Sequence, residues 1–114
     1  MTVEDLILPR RLAITLLHAA QVAQPEPVRG VVLARQGHPA RWFEGEPPDG
    51  AELWARLWSV PTAPAEPSAD QIADGDLHLV ISLNTKGVLE MRAWQLRDGQ
   101  PVERRLKVRD PGDA

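Results

Sequence analysis

The chain has 114 residues, of which 43% are hydrophobic and 25% charged, with a formal net charge of −3 and no cysteine. This is the size and composition of one globular domain. The balanced charge argues against a nucleic-acid or anionic-membrane partner, and the missing cysteines exclude disulfides and thiolate metal sites and fit a cytoplasmic location.

The opening MTVEDLILPRR carries acids where a secretory signal carries bases. No apolar run approaches the ~20 residues of a membrane span, so neither a signal peptide nor a span is expected. From Pro9, the run PRRLAITLLHAAQVAQ places Leu12, Ala13, Leu16, Leu17, Ala20 and Ala23 on one stripe, which predicts a long helix. Proline at its start loses no hydrogen bond, and Pro25 and Pro27 end it. VRGVVLARQ, Val28 to Gln36, reads as a strand covered on both faces. Gly37-His38 predicts a turn, with His38 as a turn residue, and Ala40 to Gly45 an antiparallel partner strand.

AELWARLWS fits both periods. Leu53, Trp54, Leu57 and Trp58 suit a short helix or a strand, with propensity leaning to helix. The Pro-rich segment SVPTAPAEPS follows, then SADQIADG as a short helix at best. DLHLVISLN alternates Leu77, Leu79, Ile81 and Leu83, a strand. Thr85–Gly87 turns the chain into VLEMRAWQLR, a long strand. Asp98-Gly99 predicts a hairpin turn, since both positions tolerate φ > 0. VERRLKV alternates from Val102 to Val108 as one last strand, whose edge could pair with another chain. The expected order is helix, two strands, an uncertain piece, a Pro-rich loop, a short helix and three strands. That is an α+β domain with the helix on a largely antiparallel sheet. It covers 1–110, with 111–114 as a frayed tail.

Several segments coincide with one family pattern. Leu8-Pro9 precedes a helix carrying His18-Ala19, and PEPVRGVVLA leads into an apolar strand. WSVPTAPAEPSADQ sets Pro61, Pro67 and Ser68 at the offsets of His-x-His-Pro followed by Pro-Ser-x-x-Asp. LHLVISLN and EMRAW complete the second half. From Ile7 to Arg97 the chain resembles the JAMM/MPN (JAB-type) metalloprotease family. The resemblance implies a cytidine-deaminase-like fold with a mixed, largely antiparallel sheet, and it makes AELWARLWS a strand. In that family two His and one Asp hold a zinc ion that activates water. A Glu relays the proton, a Ser stabilises the oxyanion, and the substrate is an isopeptide or peptide bond.

Residue by residue, the two His positions are Trp58 and Val60, the Asp position is Gln71 and the Glu position is Pro27; Ser68 alone keeps the pattern. Indole is a donor only and valine has no ligand atom, so neither binds zinc. Glu26 and Asp70 stand one residue away from the required positions, which turns them off the site.

Other readings of these residues are structural. His18 is a helix-surface or packing residue, and His78 could face solvent or the other sheet face. No histidine pair has metal-ligand spacing. Ser68 and Gln71 form a capping box. Arg104, Arg105, Lys107 and Arg109 form a solvated edge. The tryptophans at 42, 54, 58 and 94 are core residues, with Trp58 plugging the cleft.

The leading expectation is a catalytically inactive JAMM/MPN-like domain without a cofactor. It would bind a partner protein, a ubiquitin-like or sulfur-carrier protein, or a second copy of itself. The alternative is a zinc-dependent peptidase with displaced ligands such as Asp70 with His38 or His78. An unrelated enzyme reusing the cleft stays open; it would need a solvent-open pocket near Ser68. The leading reading also expects Leu57–Ser59 in a strand, Trp58 and Val60 in a dry pocket, and Ser68 starting a helix.

Overall fold

The computed structural model describes residues 5–84 and 88–110. Its elements are β1 (Leu6–Pro9), α1 (Arg10–Ala23), β2 (Arg29–Arg35), β3 (His38–Glu44), β4 (Leu53–Val60), a 3-10 turn (Asp70–Ile72), β5 (His78–Ser82), β6 (Glu90–Arg97), β7 (Gln100–Arg104) and β8 (Leu106–Arg109). Six strands form one sheet in the order β3-β2-β4-β5-β6-β7, and β1 and β8 form a separate parallel pair. Within the large sheet only β4 and β5 run parallel. The fold is therefore α+β with a mixed, largely antiparallel sheet and one long helix.

The apolar stripe of α1 decides where the helix lies. Leu12, Ala13, Leu16 and Ala20 are buried and share a core with Val32, Leu57, Leu79, Ile81 and Ala93. Directly paired residues on neighbouring strands point to the same side of a sheet. The pairs Val32↔Ala55, Leu57↔Leu79 and Leu79↔Ala93 thus mark one helix-covered face. Strand β2 is also buried on both sides, from Gly30 to Leu33. Gly30 is fixed by its neighbours. A Cβ there would stand 2.4 Å from the Phe43 carbonyl oxygen and 2.4 Å from the Trp42 ring, which crosses over it.

Three expectations are corrected. Leu6–Pro9 is a strand, and the helix begins one residue later than Pro9, at Arg10. The run Val102–Val108 is two strands in two sheets. At Arg105 the chain leaves the edge of the large sheet, and its carbonyl accepts the Leu6 N–H at 2.8 Å, starting the β1–β8 pair. Gly37-His38 is not the turn. Gln36 and Gly37 both have positive φ, 53° and 80°, the geometry a two-residue hairpin needs, so His38 opens β3. The segment AELWARLWS, open on periodicity and made a strand by the family resemblance, is strand β4, because it pairs with β2 and β5 on both sides.

The Asp98-Gly99 turn holds, with φ of 52° and 77°. The Thr85–Gly87 turn and the frayed tail at 111–114 lie outside the described residues. Among the described residues no helix is long and apolar enough to cross a membrane.

Candidate functional site

The face of the sheet turned away from α1 carries the site. Alternation along β4 sends Arg56, Trp58 and Val60 to this side, and their parallel partners His78, Val80 and Ser82 follow them from β5. Two adjacent parallel strands need a crossover. Here it is the stretch 61–77, holding the Pro-rich loop and the 3-10 turn.

The loop has little apolar surface to offer, so it is tied down by side chains. Ser82 Oγ donates to the Ala63 carbonyl at 2.6 Å, and Trp94 Nε1 donates to the Ala65 carbonyl at 2.9 Å. Arg92 reaches Glu66 at 3.1 Å while pairing with Glu103 through two bonds. The Arg92 guanidinium also lies 4.8 Å from the centre of the Trp94 ring. The hydrogen bond from Arg92, against the opposing effect of burial, holds the Glu103 carboxyl below the usual range. Under the loop, Ala65 and Ile72 close over Trp58 and Val80, with Val60, Trp94 and Leu96 at the margin.

A polar chain runs beside this patch. Trp58 Nε1 donates to His78 Nδ1 at 3.0 Å, and the opposite ring nitrogen, Nε2, lies 2.8 Å from Asp74 Oδ1. Indole can only donate, so Nδ1 is the acceptor, and the ring proton sits on Nε2 facing Asp74. Asp74 Oδ2 pairs with Arg56 Nε at 3.1 Å, and Asp76 Oδ2 accepts from the same nitrogen at 2.8 Å. Partial burial pushes the Asp74 carboxyl upward, but the His78 hydrogen bond, the Asp76 backbone N–H and the nearby positive charge outweigh it and leave it below the usual range. The Asp76 hydrogen bond raises Arg56. A cleft of about 300 Å3 opens here, walled by Arg29, Gly45, Arg56, Trp58, Asp74 and His78.

The residues singled out in the sequence separate into two groups. Trp58, Val60, Ser68, Gln71 and His78 converge on this end of the sheet. Leu57–Ser59 is strand, and Trp58 is 9% exposed while Val60 is half-buried. Ser68 and Gln71 make the expected reciprocal bonds. The Ser68 N–H donates to Gln71 Oε1 at 2.9 Å, and the Gln71 N–H reaches Ser68 Oγ at 3.4 Å and the Ser68 carbonyl at 3.1 Å. The helix that follows is only the Asp70–Ile72 turn, two residues after Ser68.

The other residues stay apart. Pro27 and Glu26 are exposed ahead of β2, His18 is exposed on α1, and Asp70 is exposed. His38 is exposed on the outer strand β3, three strand spacings sideways from His78 on β5 and four residues further along β2, from Val31 to Arg35, so well over about 14 Å away. Among the described residues no group of three or more His, Asp or Glu side chains is placed to hold a metal ion. Sequence reading left the side taken by His78 open and missed Asp74, Arg56 and Asp76 altogether. The available signal was the spacing Asp-x-Asp-x-His from 74 to 78, which brings alternate residues together ahead of a strand.

Chemically, His78 has no ring lone pair left over. Its one acceptor nitrogen holds Trp58 and its one proton faces Asp74, so it orients the indole rather than abstracting a proton from a ligand.

No protein-family model and no curated protein matches the chain. Solved structures do match. Protein DSY2949 from Desulfitobacterium hafniense superposes with a TM-score of 0.75 at 16% identity, covering 92% of this chain and 93% of that one. AF2198, a JAB1/MPN domain protein from Archaeoglobus fulgidus, gives 0.65 at 19% identity over 89% and 97% of the two chains. A structure described as a JAMM metalloprotease-like zinc site in the proteasome and signalosome gives 0.65 at 19% identity over 93% and 99%. At these identities the likeness is one of fold, and that fold is the JAB1/MPN fold.

Proposed function

We propose that this chain is a JAB1/MPN-fold domain that has exchanged metal-dependent peptidase chemistry for protein binding. The observation that carries the reading is the Trp58–His78 hydrogen bond. Trp58 stands where the resemblance calls for a first zinc-binding histidine. Its indole N–H is spent on His78, which closes off the nearest imidazole as well. The remaining positions agree. Val60 has no ligand atom, Gln71 Oε1 and Ser68 Oγ are used in the turn, and Pro27 offers no carboxylate. This donor set does not fit a zinc ion.

The binding role rests on the outer strands. Among the described residues, strands β3 and β7 are the outer strands of the large sheet, and such an edge accepts a strand from a partner. The partners this reading names are a ubiquitin-like or sulfur-carrier protein and a second copy of the chain, in the cytoplasm. Two measurements test it. Elemental analysis and a chelator-controlled isopeptide cleavage assay should show well under one equivalent of zinc and no chelator-sensitive turnover. About one equivalent of zinc with chelator-sensitive cleavage would overturn the loss of catalysis. Light scattering and affinity capture then separate self-association from a foreign partner. A chain that stays monomeric and captures neither kind of protein contradicts the binding role.

A further inference from the structure

The cleft beside Trp58 holds donors that the fold itself does not use. Arg56 is gripped through Nε alone, by Asp74 and Asp76, at 3.1 and 2.8 Å. Its two terminal amino groups make no hydrogen bond to a described residue. Arg29 lies diagonally across the β2–β4 ladder, since Arg29 pairs with Trp58 and Val31 with Arg56. Such diagonal Cβ atoms are about 7–8 Å apart. Arg29 is exposed and has no ion-pair partner among the described residues, yet it lines the same cleft. Gln71 lines it too, with its carboxamide oxygen fixed on Ser68 and its NH2 group making no hydrogen bond to a described residue.

These three groups are hydrogen-bond donors on a cleft of about 300 Å3 that they share with the Glu46 and Asp74 carboxylates, and an indole forms one wall. The Arg56 fork is pre-aimed, because the aspartates that hold Nε fix the guanidinium plane. A planar, bidentate acceptor suits it. The Glu46 and Asp74 carboxylates line the same cleft and repel any anion, so a doubly charged tetrahedral anion suits it less than a singly charged carboxylate.

We propose that this cleft binds a carboxylate, with the terminal amino groups of Arg56 as the bidentate anchor, Arg29 and Gln71 as supporting donors, and the Trp58 side as the apolar wall. The proposal stands on the cleft alone and holds whether or not the protein-binding reading does. A small free acid and the C terminus of a peptide present the same chemistry.

Titration of the 15N-labelled full chain at fixed ionic strength tests it, following the Trp58 indole N–H and the Arg56 Nε–H signals. The probes are sodium benzoate, N-acetyl-Leu-Ala with a free C terminus, the same peptide amidated, and inorganic phosphate. The expected result is saturable shifts for the free acids with Kd on the order of 1–10 mM, and none for the amide. Arg29→Met, an exposed and unpaired position, and Arg56→Lys, which keeps the charge facing the aspartates, should each weaken binding about tenfold. Stronger binding of benzoate identifies a free acid as the ligand, and stronger binding of the peptide identifies a chain end. Shifts that never saturate, equal affinity for phosphate, or binding unchanged in both variants would overturn the proposal.

Discussion

On one face of the six-stranded sheet, Leu57, Leu79 and Ile81 meet α1 through hydrocarbon. On the other, Ser82 and Trp94 meet the Pro-rich loop through hydroxyl and indole hydrogen bonds, while Trp58 gives its indole N–H to His78 on the neighbouring strand. The difference follows from what each cover can offer. A helix satisfies its own backbone and brings a stripe of leucines. A loop rich in proline leaves its carbonyls to be satisfied from below, so the sheet must supply donors at set positions. Apolar closure tolerates exchange of one side chain for another of similar volume. Closure by hydrogen bonds does not, because a buried partner left alone costs more than the bond contributed. The loop face is thus the more exacting of the two, although it buries less hydrocarbon.

Substitutions can break this contrast in order of size. Leu16→Ala removes a fully buried side chain on the helix face and should cost about 2–5 kcal/mol, read as a lower urea midpoint with an unchanged m-value. Trp58→Phe keeps much of the volume but leaves the buried His78 Nδ1 without its donor. It should cost about 1–3 kcal/mol, and adding His78→Leu should recover part of that loss. If the double variant is no more stable than the single one, the Trp58 effect is packing alone and the contrast fails. Ser82→Ala removes the tie to Ala63 and should cost about 1 kcal/mol, with backbone shifts confined to 61–67 in an amide spectrum.

The smallest expected effect lies in acid. The folded Asp74 carboxyl titrates below its ordinary value. Its stabilising contribution is therefore complete above the unfolded value, about pH 4, and fades as pH falls through the folded one. In Asp74→Asn the melting temperature should fall less steeply below that pH than in the parent chain. Superimposable acid limbs would show that Asp74 carries no linkage.

Much of the helix face could be read from the chain, because a 3.6-residue stripe from Leu12 to Ala20 and strict alternation through Leu77–Leu83 are local signals. Strand β4 could not be settled locally. Leu53, Trp54, Leu57 and Trp58 satisfy both periods, and only pairing with β2 and β5 decides. Strand β1 is four residues long, and its partner is about 100 residues away. The uninterrupted alternation of Val102–Val108 conceals a change of sheet, since side-chain period says nothing about which strand lies alongside. At the site, the Ser68–Gln71 turn was legible as a motif. The Trp58–His78 bond joins residues 20 apart on neighbouring parallel strands, and parallel register leaves no mark in either strand's own sequence.

The pairing of β1 with β8 has a consequence for how the molecule opens. These two short strands stand outside the large sheet and close the longest loop in the chain. Closing a loop of that length is entropically costly, and it is repaid by four residues on each side, of which Leu8 alone is fully buried in the core. The ribbon should then be the first unit to come apart under native conditions. Its amides should exchange with solvent through an opening well below the global unfolding free energy, while those of β4 and β5 wait for the whole domain. Exchange of both sets at one common rate would mean instead that the ribbon and the sheet rise and fall together.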